Sequence, residues 1–241
     1  MELFFLENFS SATKEIQLSP EESRHLVKSL RKRPGDTVDL TDGNGHHILA
    51  EIVQVTGKNT RLAVKKVKRI PFPPLHHFSV GLAIIRPNRM DWAVEKLTEL
   101  GVESITPLIC QYSTIKQVKW EHLRKVAVSA IKQSRQFYLP RIDKVKKLKE
   151  WLGETTAQKG PKFIAHPDSD ISFTSKILKS SEIGITLLIG PEGGFHSDEL
   201  NLAQAKNFIP INLGSNILRS ETAAVVAVSQ IKLLLKNEKM A

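Results

Sequence analysis

Hydrophobic and polar residues alternate in short segments over the first 70 positions, which is the pattern of β-strands with one buried face. Turn segments rich in glycine, proline, aspartate and asparagine separate them. The alternation therefore predicts a small β-barrel. Its strands are expected at 37–41, 47–55 and 60–67, with turns at 34–36, 42–45 and 57–59.

One helix is expected within this barrel, beginning at Ser19. Serine is a favoured N-cap residue, Pro20 follows at the first helical position, and Glu22 is the third residue of the helix. The predicted helix ends at Arg31.

A proline-rich break at 71–76 divides the chain, because proline continues neither a strand nor a helix. Beyond it, the near-continuous apolar run 78–85 is typical of a strand buried on both faces. Strands then alternate with helices, which indicates a mainly parallel sheet with helices on both sides. Further strands are predicted at 103–109, 162–165, 184–189 and 208–213, and helices at 91–100, 121–136, 198–206 and 220–236.

The composition is that of an ordinary globular protein, with 41% hydrophobic and 25% charged residues. No apolar run approaches the ~18 residues of a membrane span, and the N-terminus lacks the features of a signal peptide. The single cysteine, Cys110, excludes an intramolecular disulfide and a zinc ribbon, and its apolar surroundings are typical of a buried, inert thiol. We therefore expect a cytoplasmic protein with no bound metal and no membrane contact.

Positive charge is concentrated in one part of the chain. The net charge is +10, and residues 116–149 hold eleven basic and two acidic side chains. Residues 1–70 hold twelve basic and nine acidic side chains. A local positive surplus is the electrostatic footprint of a protein that binds a polyanion such as nucleic acid. A solvated basic helix face would give the same surplus, so charge alone leaves both interpretations open.

Two predicted strands run into unusual loops, Gly-Pro-Glu-Gly-Gly at 190–194 and a longer segment at 214–221. Ligands of open α/β sheets bind beyond the carboxyl ends of strands, so these loops form the candidate site. Neither has the spacing of a phosphate cradle, and Glu192 disfavours an anionic ligand. A ligand that carries a cationic group, such as a sulfonium, suits the first loop better. A tight turn with a surface glutamate would also explain it.

Arg219 and Glu221 stand at the first turn of an unusually apolar helix. The helix body, 223–231, is apolar on nearly all sides, so we expect it to be buried against its own sheet and a partner subunit. An acidic residue complements the helix dipole at this end, which alone would explain Glu221. The same dipole disfavours a cation, so helix stability leaves Arg219 unexplained.

The two loops resemble the signature segments of a known family. Residues 190–195, Gly-Pro-Glu-Gly-Gly-Phe, and 213–223, Leu-Gly-Ser-Asn-Ile-Leu-Arg-Ser-Glu-Thr-Ala, are similar to those of the RsmE family. Its members are bacterial 16S ribosomal RNA uridine-N3 methyltransferases of the SPOUT class. Shorter matches extend the resemblance over the whole chain, at 25–31, 34–36, 42–43, 96–102, 105–107 and 165–167.

The resemblance implies an α/β protein with a C-terminal SPOUT trefoil-knotted parallel-sheet domain, preceded by a small PUA-like β-barrel domain. The expected limits are 1–70 for the barrel, 71–76 for the linker and 77–241 for the methyltransferase domain. The resemblance also implies a homodimer with S-adenosylmethionine as its cofactor, and 16S ribosomal RNA of the small ribosomal subunit as its partner.

The resemblance and the charge distribution together give the expected site residues. Those that bind S-adenosylmethionine are His166, Ile189, Gly190, Pro191, Glu192, Gly193, Gly194, Leu213, Gly214, Ser215, Asn216, Ile217 and Leu218. Those that contact RNA are Arg31, Lys65, Lys66, Arg89, Gln133 and Arg135. Arg219 and Glu221 are the expected catalytic residues, and no metal ligand is expected.

One segment departs from the family pattern. Many members carry Gln-x-x-Arg-x-Arg-x-Pro, whereas this chain has Gln133 and Pro140 with glutamine and tyrosine in place of the two arginines. Arg135 is a candidate substitute, and the neighbouring aromatic pair at 137–138 could stack on an exposed base.

Methylation at uracil N3 needs an aligned nucleophile and removal of the imide proton. Arg219 is expected to stabilise negative charge on the uracil carbonyls, and Glu221 either orients Arg219 or accepts the proton. Two other functions remain open at this point. A non-catalytic RNA-binding assembly protein would need only the barrel and the basic surface, and other enzymes of the SPOUT class methylate a ribose hydroxyl.

Overall fold

The computed structural model describes residues 2–56, 59–73, 77–155, 160–174 and 184–238. The chain forms two compact units. The first comprises Met1–Phe72 and Val128–Leu139, and the second comprises Pro73–Ala127 and Pro140–Ala241. Most of the predicted turn at 57–59 and half of the predicted linker at 71–76 lie outside the described residues.

The first unit is built on a five-stranded sheet with the order β1–β3–β4–β5–β2. β1 is parallel to β3, and the other neighbours are antiparallel. The three predicted strands are confirmed as β3 to β5. The strands are β1 Leu3–Phe5, β2 Glu15–Gln17, β3 Thr37–Thr41, β4 His46–Thr56 and β5 Asn59–Arg69.

Alternation along β4 directs one face of this sheet into a hydrophobic core. Ile48, Ala50 and Ile52 are fully buried at every second position. They pack in one cluster with Leu40 of β3 and Leu62 of β5. This period of two is the feature from which the strand was predicted.

The predicted helix of the first unit begins where expected, but its second half is not α-helical. Helix α1 spans Pro20–Arg24, and the Ser19 hydroxyl accepts a hydrogen bond from the Glu22 amide at 3.2 Å. A π-helical turn over His25–Ser29 continues it. Arg31 follows with a φ of 53°, in the left-handed region.

The second unit contains a parallel sheet with the order β12–β10–β11–β6–β7–β8, and β9 also pairs with β7. Every described strand pair is parallel, which confirms the predicted α/β class. The strands are β6 Phe78–Ala83, β7 Ser104–Ile109, β8 Arg141–Ile142, β9 Lys146–Lys147, β10 Lys162–Ala165, β11 Ile185–Ile189 and β12 Phe208–Ile211. The threading of a trefoil knot stays a prediction of the resemblance.

The remaining helices are α2 Pro87–Glu99, α3 Trp120–Ser134, α4 Leu148–Glu154, α5 Ser197–Ala205 and α6 Ser220–Glu238. Helix α4 is not among the predicted elements, although Trp151 and Leu152 are buried in the core beside Leu108. Among the described helices, none is both long and apolar enough to cross a lipid bilayer.

Cys110 is buried, as its apolar surroundings predict. Burial, with a smaller contribution from the negative charge of Glu199, raises the pKa of its thiol to about 12. The thiol is therefore neutral at physiological pH and is not a nucleophile.

Candidate functional site

Four neighbouring strands of the second unit end side by side. They have the order β12–β10–β11–β6 and are all parallel, so their carboxyl ends lie at the same edge of the sheet. The loops after β12, β10 and β11 begin at Asn212, His166 and Gly190, and β6 leads into helix α2. This is the edge at which open α/β sheets bind their ligands.

The loops after β12, β10 and β11 enclose a cavity of about 370 Å³. This volume is within the range of small-molecule sites. Most of the residues predicted to bind a cofactor line it, namely His166, 189–194, Leu213 and 216–218. Gly214 and Ser215, which were also predicted to bind the cofactor, belong to the loop after β12 but do not line the cavity. The cavity therefore brings together the two loops that the sequence singles out.

Asn212, which is not among the predicted site residues, holds the second loop in place. Its Oδ1 accepts a hydrogen bond from the Gly214 amide at 2.8 Å, and its Nδ2 donates to the Pro167 carbonyl at 2.8 Å. It thereby joins the loop after β12 to the loop after β10. A short polar residue directly after a buried strand is the sequence feature that could have indicated it.

The glycine-rich loop ends at the start of helix α5, where His196 is the N-cap residue. Its Nδ1 accepts a hydrogen bond from the Asp198 amide at 3.2 Å, and Glu199 accepts one from the His196 amide at 3.1 Å. The other carboxylate oxygen of Glu199 accepts from the Gln111 amide at 2.8 Å. Glu199 thus ties the end of the glycine-rich loop to the segment after β7. Histidine lies outside the usual set of N-cap residues, so sequence reasoning did not find this cap.

Arg89, in the first turn of α2, lies between two acidic side chains. Its Nη1 donates a short hydrogen bond to Glu192 in the glycine-rich loop. Its Nε lies 3.6 Å from Oε1 of Glu221 in the first turn of α6. Glu221 is 7% exposed, and its Oε2 has no hydrogen-bond partner among the described residues. One guanidinium therefore joins the glycine-rich loop to the start of α6.

Arg219 occupies the position directly before α6 and is exposed. Its carbonyl accepts a hydrogen bond from the Ala223 amide at 2.7 Å, which places it at the N-cap. Within the described parts of the chain, no ion pair involves its guanidinium. Among the described residues, the cation that pairs with Glu221 is Arg89 and not Arg219.

The residues predicted to contact RNA are divided between the two units. Arg89 belongs to the second unit, and the others belong to the first. Lys65 and Lys66 are exposed on β5, where Lys65 pairs with Glu51 at 2.7 Å. Gln133 and Arg135 line a separate cavity of the first unit.

Comparison with known proteins identifies the matching families. Residues 73–232 match the model of an RNA methyltransferase domain, and residues 18–64 match that of an RNA methyltransferase PUA domain. The chain is 33% identical to ribosomal RNA small subunit methyltransferase E of Rickettsia conorii, over 91% of this chain and 90% of that protein. It is 30% identical to the Buchnera aphidicola (Acyrthosiphon pisum) protein of the same name, over 92% of this chain and 89% of that protein.

Two solved structures have a similar fold over nearly the whole chain. Ribosomal RNA small subunit methyltransferase E from Neisseria gonorrhoeae, bound to S-adenosyl methionine, has a TM-score of 0.88 and 26% identity, covering 97% of this chain and 98% of that one. A methyltransferase from Legionella pneumophila with bound cofactor SAM has a TM-score of 0.86 and 28% identity, covering 96% of each chain.

The parallel sheet, the paired loops at its carboxyl edge and the preceding PUA domain define an RNA methyltransferase. Within that class, the chain belongs to the ribosomal RNA small subunit methyltransferase E family. The predicted family, and the predicted α/β methyltransferase domain with a PUA-like domain in front, are confirmed.

Proposed function

We propose that this protein transfers a methyl group from S-adenosylmethionine to N3 of a uridine in 16S ribosomal RNA of the small subunit. The observation that carries the proposal is the cavity in which the loops after β10, β11 and β12 meet. Two relatives with a similar fold were solved with S-adenosylmethionine bound. The curated relatives are named as methyltransferases of small-subunit ribosomal RNA.

The cavity suits this cofactor in size and in chemistry. Its volume is about 370 Å³. Ile189, Leu213 and Leu218 supply apolar surface, and the backbone of 190–194 supplies hydrogen-bonding groups that can specify the edge of an adenine. Glu192 and Glu221 share the single guanidinium of Arg89, so carboxylates outnumber cations here, which favours a ligand that carries sulfonium and ammonium groups. When bound, the cofactor supplies an electrophilic methyl group.

We assign Arg219 the role of stabilising the negative charge that develops on the uracil during the reaction. Its guanidinium is exposed at the start of α6, next to Leu218 and Ser220, which both line the cavity. Loss of the imide proton to solvent water places negative charge on the uracil carbonyls, and a nearby guanidinium stabilises that charge. The N3 atom then takes the methyl group, and the sulfonium leaves as a neutral thioether. Glu221 is buried and contacts Arg89, so we assign it to holding the first turn of α6 and thereby positioning Arg219.

A homodimer is part of the proposal. Helix α6 and the loop before it carry two exposed apolar side chains, Leu233 at 60% and Ile217 at 89% exposure. A second copy of the chain would cover such a surface. The basic side chains of the chain would hold the RNA backbone, so binding should weaken as salt rises.

The variant Arg219→Ala tests the assignment. It should bind S-adenosylmethionine with unchanged affinity in calorimetry and lose turnover by roughly 10²- to 10³-fold, the effect of removing one group that stabilises developing charge. The matched control is Lys236→Ala, which removes an exposed cation from the last turn of the same helix and should leave both quantities unchanged. Full turnover by Arg219→Ala would contradict the role of Arg219. If the unaltered protein binds no S-adenosylmethionine, the proposed function itself is wrong.

A further inference from the structure

An exposed tyrosine stands beside the glycine-rich loop at 190–194. Tyr112 belongs to a turn at 110–113 that directly follows β7, and it is 48% exposed. It is not among the described residues that line the cavity of the proposed cofactor site, and the proposed methyl transfer gives it no role. Single exposed aromatic residues are common on protein surfaces, so the contacts of Tyr112 decide whether it has a function. We call residues 110–113 the tyrosine turn.

The tyrosine turn is fixed by hydrogen bonds within it and to helix α5. The Ser113 amide donates to the Cys110 carbonyl at 3.1 Å, and the Ser113 hydroxyl accepts from the Cys110 amide at 3.1 Å. Cys110 is packed in the hydrophobic core of the second unit. The Gln111 amide donates to the Glu199 carboxylate at 2.8 Å. The turn is therefore anchored both to the core and to the start of α5, and it holds Tyr112 in a defined position.

Tyr112 approaches the backbone of the glycine-rich loop at Gly193. A Cβ on Gly193 would lie 3.2 Å from the Cβ of Tyr112 and 3.7 Å from its Cγ. The tyrosine ring also packs edge-on against the ring of His196, with the ring centroids 5.9 Å apart. Because His196 is the N-cap of α5, Tyr112 contacts the loop and also the helix into which it leads. This close approach explains why residue 193 has no side chain.

The conformation of the glycine-rich loop matters for affinity. Three of its five residues are glycine, and glycine loses more conformational freedom on ordering than any other residue. A ligand that has to order such a loop binds more weakly than one that meets the loop already in the bound conformation. A neighbouring group that restricts the loop therefore raises the affinity for the ligand without touching it.

We propose that Tyr112 is a positioning residue for S-adenosylmethionine. It holds the glycine-rich loop in the conformation that binds the cofactor, and it acts through Gly193 rather than by contact with the cofactor. The proposal rests on the proposed function for the identity of the ligand. A direct contact of Tyr112 with RNA is the alternative that its exposure allows, but its contacts with Gly193 and His196 place it against the loop and favour the positioning role.

The variant Tyr112→Ala tests this role, with cofactor binding measured by calorimetry in the absence of RNA. The Kd for S-adenosylmethionine should rise about tenfold, which corresponds to a fall of the binding-competent fraction of the loop to about a tenth. The KM for the cofactor should rise with it. At saturating cofactor, kcat should change by less than about twofold, because the bound cofactor orders the loop itself. An unchanged Kd would overturn the proposal, and a fall in RNA affinity alone would assign Tyr112 to RNA contact instead.

Two control variants separate positioning from other effects. Tyr112→Phe keeps the Cβ and the ring that make the contacts, so it should bind the cofactor as the unaltered protein does. Trp92→Ala removes an aromatic side chain of similar exposure, 41%, from helix α2, and it should also leave the Kd unchanged. Equal losses of affinity in Trp92→Ala and Tyr112→Ala would overturn the proposal. A merely structural role of Tyr112 would lower the midpoint of thermal unfolding and leave the Kd of the folded protein unchanged.

The variant Gly193→Ala tests the same contact from the side of the loop. Its methyl group would meet the Cβ of Tyr112 at 3.2 Å and displace the loop, so the Kd for S-adenosylmethionine should rise severalfold. Tyr112→Gly removes that Cβ, and in this background Gly193→Ala should weaken binding no further, because the effects of two residues in contact are not additive. Full additivity would overturn the proposal. An unchanged Kd in Gly193→Ala would also overturn it, because a turn that yields to a methyl group does not hold the loop.

Methyl transfer to ribosomal RNA is measured on the same preparations. If the unaltered protein binds the cofactor and methylates ribosomal RNA, yet Tyr112→Ala binds the cofactor equally well, the proposed function stands and the positioning role is wrong. If the unaltered protein binds no S-adenosylmethionine, the proposed function is wrong as well.

Discussion

Arg89 shows how the role of a residue depends on neighbours that are distant in sequence. Its charge made it a predicted RNA contact, and the structure places its guanidinium beside Glu192 and Glu221. These contacts depend on β6 lying next to β11 in the sheet, an order that no local pattern in the sequence specifies. The glycine-rich loops, by contrast, could be predicted, because their residue types indicate unusual backbone.

The variant Arg89→Ala separates the two roles. If Arg89 positions the site, S-adenosylmethionine affinity should fall and turnover should drop on the order of 10- to 100-fold, because Glu192 and Glu221 lose their shared partner and the site is misplaced. RNA binding should keep its salt dependence. Calorimetry, turnover and RNA anisotropy at several salt concentrations check these three quantities.

Two further variants complete that test. Arg89→Lys retains the charge and should recover part of the lost turnover. Lys96→Ala, on the same helix, removes a cation that pairs with Glu95 and Glu99 at 2.7 and 2.8 Å, and it should change none of the three quantities. The positioning role is wrong if Arg89→Ala binds cofactor normally and loses about one unit of salt slope in RNA binding.

At the scale of elements, long and strongly periodic segments were predictable and short ones were not. Strand β4 buries alternate side chains in the course of eleven residues, which is enough for the period to stand out. β1 and β2 have three residues each and are too short to display a period. Helix α4 has only seven residues. It lies in a lysine-rich stretch, so its apolar positions, including the buried Trp151, are too few to display a helical period.

Two glycine-to-alanine variants should change stability in opposite directions. In β6, a Cβ on Gly81 would lie 2.6 Å from the ring of Trp151 and 2.8 Å from Leu108. Gly81→Ala should therefore lower the free energy of unfolding by about 1–3 kcal/mol, the usual cost of overpacking a core. In α4, a Cβ added to Gly153 would meet no heavy atom within 4 Å. Gly153→Ala should raise the free energy of unfolding by up to about 1 kcal/mol through helix propensity.

Denaturant unfolding of both variants beside the unaltered protein measures this difference. If Gly81→Ala is as stable as the unaltered protein, the packing of Trp151 over β6 is not as described.

At the scale of the whole molecule, the type of sheet in each unit was more predictable than the set of residues that belongs to each unit. The alternation before residue 70 and the βα pattern after residue 77 each predicted the observed type of sheet. No local pattern indicates that Val128–Leu139 groups with the first unit, because this segment continues the helix α3 that begins at Trp120. The rule for strand ends predicts that the loops at 190–194 and 213–218 meet. A polar residue after β12 could be noticed in the sequence, but its hydrogen bonds to Gly214 and Pro167 depend on β12 and β10 being neighbours in the sheet, which no local pattern specifies.

The most direct test of the proposed function is methyl transfer from labelled S-adenosylmethionine to small ribosomal subunits that lack the modification, followed by identification of the methylated nucleoside by mass. The proposal predicts label in 16S ribosomal RNA, recovered as N3-methyluridine. Label in a ribose or in another base would contradict the assigned target, and absence of both label and cofactor binding would contradict the enzymatic function.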